Sequence, residues 1–112
     1  MIEARLYLLQ RGSAMVLGPL VIIHLGLILY AIQGGLSAAE ILERTRGSIA
    51  WAVFYGAFVL AAAVHAPIGL RNLAREWLAW RGRSLDYATL GFGLILLVLG
   101  LRAVWAVVGV AP

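Results

Sequence analysis

A chain of 112 residues that is 63% hydrophobic and only 12% charged, with a mean hydropathy of +0.97, carries more apolar surface than a water-soluble core of that size can hide. It belongs in a bilayer. Cysteine is absent, which excludes disulfides, thiolate metal sites and Cys-ligated iron–sulfur clusters on this chain. The net charge of +4 comes from nine Arg with no Lys, a balance that suits membrane topology and headgroup contact rather than nucleic acid.

The composition and spacing predict an all-α membrane protein of three transmembrane helices, preceded by a short N-terminal interfacial helix. From Met1 to Gln10, Ile2, Leu6 and Leu9 are separated by Glu3 and Arg5, as in an amphipathic helix lying in the headgroup region. No charge interrupts residues 12–33, a length that crosses a hydrocarbon core of about 30 Å at about 1.5 Å per residue. This stretch is too long for the apolar region of a secretory signal and reads as a retained span. Gly34-Gly35-Leu36-Ser37 then punctuates the chain. Ser37 is placed to cap a short connector helix, with Glu40 at the capping-box position.

The second span covers residues 48–70, with Trp51 and Tyr55 near its start, where amphipathic rings favour the headgroup boundary. Pro67 removes a backbone donor and predicts a kink just beyond His65. Arg71 to Asp86, carrying Arg71, Arg75, Arg81 and Arg83 with Trp77 and Trp80 between them, reads as a polar cytoplasmic loop. The third span, residues 87–110, is interrupted only by Arg102, and almost nothing follows it. The N-terminal segment and the second loop hold six Arg against two on the first loop, so the positive-inside rule places the N-terminus inside and the C-terminus outside a bacterial or archaeal cytoplasmic membrane. The chain reads as one domain, residues 1–112, without repeats. Gly91, Gly93 and Gly100 on the third span, with Ala57 and Ala61 on the second, permit close helix contacts.

Two imidazoles stand inside these spans. An ionisable group in a hydrocarbon-length segment is costly to keep and points to function, and for His a haem iron is one natural partner. A hydrogen bond to a neighbouring helix would also satisfy His65, and ordinary packing would account for Leu20, Val21, Leu27 and Ile28 around His24. The histidines differ in depth. His24 lies roughly 18 Å in from Gly12, whereas His65 lies about 9 Å from Arg71. One iron needs its axial ligands at nearly equal height, so two ligand histidines here would serve two stacked haems, each completed by an imidazole from another chain.

The pattern His65-x-x-x-Gly69-Leu70-Arg71-x-Leu73-x-x-Glu76, preceded by Gln10-Arg11-Gly12-Ser13-Ala14, resembles the cytochrome b membrane-anchor subunits of succinate dehydrogenase and fumarate reductase. The likeness spans roughly Tyr7 to Trp80. Departures are Asn72 where the family often has a second His, Glu76 where it has Asp, and Tyr7 where it has Ser. The resemblance implies haem b with His65 as proximal and His24 as distal axial ligand. It also implies a quinone site including Arg11 and Ser13, with Tyr7 beside them at the same membrane face. Arg71, Arg75 and Arg102 are candidates for haem propionates, with lipid headgroups as their plainer partners.

The dicarboxylate chemistry, FAD and iron–sulfur clusters would then belong to a flavoprotein subunit and an iron–sulfur subunit. A second membrane anchor, or less favourably a second copy of this chain, would supply the opposite haem ligands. Two other readings fit the composition: a haem-free anchor of the same family, and a small three-helix scaffold without a redox role.

Overall fold

The computed structural model describes residues 2–109 and contains four helices in chain order: α1 (Ile2–Gly34), α2 (Ala38–Thr45), α3 (Ile49–Trp77) and α4 (Arg83–Val108). No strand occurs among the described residues. α1, α3 and α4 are each long and apolar enough to cross a membrane, and the molecule's long dimension of 47 Å matches a bilayer of about 40–45 Å with its headgroup layers. The end of the third span expected at Val110 lies outside the described residues.

α3 is the central helix, packing against α1 on one side and α4 on the other. Very little is enclosed: the buried apolar residues are Pro67, Ile68 and Leu85, while large side chains such as Ile22, Tyr30, Val53, Ile95 and Trp105 are exposed. In lipid this is the expected balance, because tails solvate Leu and Ile as well as another helix does, and association relies on close backbone approach and polar ties.

Close approach is visible between α3 and α4. A methyl group on Gly100 would collide with Val59, and one on Gly93 would press within 3.3 Å of both the Ala63 carbonyl and the Pro67 ring. Pro67 cannot donate to the carbonyl four residues earlier, so Gly93 lies over the place where the α3 ladder lacks a bond. Gly91 has nothing within 4 Å; it lies off the stripe that Gly93 and Gly100 share and makes no close contact in this chain.

Two boundaries differ from expectation. The amphipathic N-terminal segment is helical but is no separate element, since α1 runs without a break from Ile2 through Gly34. A lone Gly12 costs a helix only about 1 kcal/mol and does not stop it. The region from Arg71 to Asp86 is mostly helix rather than loop: α3 continues to Trp77 and α4 begins at Arg83. Polarity ends the membrane-embedded part of a helix, but not the helix itself, until a true breaker arrives. Here that breaker is the short turn ending at Gly82, whose φ of +98° favours glycine.

The connector follows the sequence reading. Ser37 caps α2 in a capping box with Glu40. α2 then seals the adjacent helix ends, as Arg44 donates to the Gly35 carbonyl at 2.9 Å. The Gly47 N–H reaches the Val108 carbonyl at 2.8 Å and the Thr45 hydroxyl bonds the Val107 carbonyl. These bonds take up carbonyls that the ends of α1 and α4 would otherwise leave without partners.

Candidate functional site

The ends of the bundle differ chemically, and each holds one imidazole. Ser13 on α1 faces His65 on α3, and His24 on α1 faces Tyr55 and Phe58 on α3. In this antiparallel register the two rings are separated by about ten residues, or about 15 Å along the axis. The unequal depths inferred from residue counts therefore hold in three dimensions.

His65 is half-buried between α1 and α3. Its Nδ1 stands 3.3 Å from the Ser13 hydroxyl, and that hydroxyl donates to the Gln10 carbonyl at 3.1 Å. Gly69, one turn further along α3, turns toward α1, where an added methyl would meet the Gln10 amide at 3.4 Å. The Gln10 side chain thus occupies the space beside Gly69.

Below His65 a charged lattice ties three helices. Arg71 is 8% exposed; it pairs with Glu3 of α1 at 3.2 Å and with Asp86 of α4 at 3.2 Å, while Arg75 pairs with the same Glu3 at 2.8 Å. The hydrogen bond from Arg71 holds the Glu3 carboxyl below the usual carboxylate range, and the neighbouring charge of Arg75 works in the same direction. Two carboxylates of this chain therefore already engage the guanidinium groups named above as propionate candidates. Arg102 is exposed on α4, far from this lattice. Glu76 is exposed and is not among the residues that pair with Arg71 or Arg75.

The three residues expected together at the quinone face divide. Tyr7 and Arg11, one turn apart, are exposed on one side of α1, with the guanidinium 5.9 Å from the ring centroid. Ser13 points inward and is buried, because two residues further along a helix is more than half a turn around it.

At the other level, His24 meets Phe58 edge-on at 5.4 Å and Tyr55 at 6.0 Å. Its Nδ1 is buried without a hydrogen-bond partner. Two apolar cavities open beside it: one of about 300 Å³ is bounded by Phe58, Val59, Gly100 and Val104, and another of about 250 Å³ by Leu27, Ile28, Trp51 and Tyr55. α2 contributes Ile41 and Thr45 to both. A third apolar cavity of about 410 Å³ lies between the far ends of α3 and α4, under Trp77 and Trp80.

Among the described residues no three His, Asp or Glu side chains gather into a metal-binding cluster. A single imidazole per iron is nonetheless what haem ligation asks of one helix, the remaining ligands being the macrocycle and one further axial group. Glu3 and Asp86, the partners of Arg71, were not singled out in the sequence. A usable signal was present: once Ser13 is placed opposite His65, ten residues back along α1 and ten forward along α3 bring Glu3 opposite Arg75.

A family described as "Succinate dehydrogenase/Fumarate reductase transmembrane subunit" matches the chain over residues 2–107. No curated protein and no solved structure matches it.

Proposed function

The chain belongs to the succinate dehydrogenase/fumarate reductase transmembrane subunit family, and from that premise we propose that it is a haem b-carrying, quinone-binding anchor passing electrons between an iron–sulfur subunit and quinone. Family membership makes it an integral membrane subunit of an oxidoreductase complex. The observation that supports a haem is the setting of His65. Its Nδ1 stands beside the Ser13 hydroxyl, which leaves Nε2 as the candidate nitrogen for iron. His24 supports a second haem, because a buried ring nitrogen without a partner beside two apolar cavities suits a site completed by another chain.

Haem b, when bound, supplies a one-electron relay with a potential set by its ligands and surroundings. The chain's own residues hold and insulate it. His65 and His24 would each hold a haem iron through one ring nitrogen, and Phe58 and Val59, which line the cavity beside His24, would keep water from it. Arg102 remains a propionate candidate. For Arg71 and Arg75 that role requires exchanging Glu3 or Asp86 for a propionate. Tyr7 and Arg11 present a hydroxyl and a guanidinium at the membrane face, donors suited to a quinone carbonyl.

The partners are a flavoprotein with FAD, an iron–sulfur subunit, and a second membrane anchor bringing the opposite imidazoles. The Arg-rich end would face the cytoplasm, where the first two dock.

A reduced-minus-oxidised spectrum of the purified complex tests the reading, with a b-type change expected. His65→Ala should remove the proximal haem signal, and its full retention would overturn the assignment. A haem-free anchor is favoured by the same Ser13 bond, which satisfies His65 without iron, and by the carboxylates already on Arg71. Absence of any b-type change would select it.

A further inference from the structure

We infer that Ser13 is a positioning residue for His65, fixing which ring nitrogen carries the proton and thereby which is free to bind iron; the inference rests on the haem reading above. A serine hydroxyl has one proton and two acceptor positions. Ser13 uses its proton on the Gln10 carbonyl, 3.1 Å away. The 3.3 Å contact to His65 can then be a hydrogen bond only if the imidazole donates from Nδ1. That proton assignment leaves the Nε2 lone pair open.

The geometry supports a fixed arrangement. Ser13 is buried at the seam of α1 and α3, its acceptor is the backbone of its own helix one turn earlier, and the Gln10 side chain fills the notch at Gly69. An iron-bound imidazole whose second nitrogen donates a hydrogen bond is a more basic ligand with a fixed ring orientation. More basic ligation favours the ferric state, so this bond lowers the haem potential. The same side chain that the sequence pattern suggests for quinone is, in this fold, turned toward the ligand histidine.

The experiment uses the purified whole complex with Ser13→Ala and Ser13→Thr, comparing the midpoint potential of the proximal haem and its low-spin EPR spectrum. Thr retains a hydroxyl that can bond an earlier carbonyl in a helix. Ser13→Ala is expected to raise the potential and shift the largest g-value, or to lose the proximal haem outright, with Ser13→Thr restoring the wild-type values. If Ser13→Ala does not assemble, Ser13→Cys, a weaker acceptor, should give the same direction of shift. Wild-type potential and g-values in the Ala or Cys variant would overturn the inference alone. A wild-type complex without haem would overturn it together with the function it rests on.

Discussion

At the Arg71 end of the bundle Arg71, Arg75, Glu3 and Asp86 find partners within the chain, whereas at the level of His24 the one buried imidazole nitrogen finds none. Arg71 reaches two other helices through Glu3 and Asp86, and His65 has Ser13. His24 has aromatic edges, two apolar cavities and an unpartnered Nδ1. A buried polar atom without a hydrogen bond costs about 1–3 kcal/mol. In the first region Gln10 Oε1 is also buried without a partner, but the ionic groups around Arg71 are paired by this chain, whereas the ring at the second level has no polar partner within it.

The strongest way to break that contrast is Arg71→Ala, which strands Glu3 and Asp86 and unties three helices. Breaking a fully buried pair costs about 3–5 kcal/mol, and with both carboxylates half-exposed a loss of about 2–3 kcal/mol is expected after discounting for screening, read from unfolding of the purified chain in micelles. At the other end, Gly100→Ala drives a methyl into Val59, a β-branched side chain with essentially one helical rotamer. It should cost about 1–2 kcal/mol, while Gly91→Ala, with open space around it, should cost nothing.

His24→Phe sharpens the comparison. In the isolated chain it removes an unpartnered nitrogen and should leave stability within about 1 kcal/mol of wild type or slightly raised, yet in the assembled complex it should abolish the distal haem signal. A clear loss of stability in the isolated chain would mean that this chain already satisfies the ring.

The smallest expected effect is a dependence on acid. Glu3 has its pKa lowered chiefly by the Arg71 hydrogen bond, so its stabilising contribution is complete above the ordinary carboxylate range and is lost as pH falls through the lowered value. Glu40 is lowered in the same direction, chiefly by its Ser37 hydrogen bond, but holds only the first turn of α2. Glu3→Gln should remove the acid-dependent loosening of the Arg71 end. An unchanged acid transition in that variant would show that Glu3 is not the group being protonated.

Much of the architecture was legible because it is written locally. Long apolar runs, broken only by Arg102 in the third, marked the three crossings, the Ser37–Glu40 pair marked the start of α2, and counting residues from the ends of the spans placed the histidines at different depths. Polarity rises in the N-terminal segment and after Arg71, yet α1 and α3 run on through these stretches, because a rise in polarity does not by itself end a helix. The N-terminal segment contains no residue that stops a helix, and after Arg71 none acts before the turn between Trp77 and Arg83.

What the sequence by itself determined is the set of properties that depend on neighbours along the chain: hydrophobic length, caps, and depth in the bilayer. Only the tertiary structure decided that Ser13 turns to His65 while Tyr7 and Arg11 turn away, that Glu3 and Asp86 converge on Arg71, and that His24 is left without a partner. Those outcomes depend on how far each helix is rotated and slid against α3. Rotation and slide are set by contacts such as Gly93 on Pro67 and Gly100 on Val59, between residues about 26–41 positions apart in sequence, which no local pattern encodes.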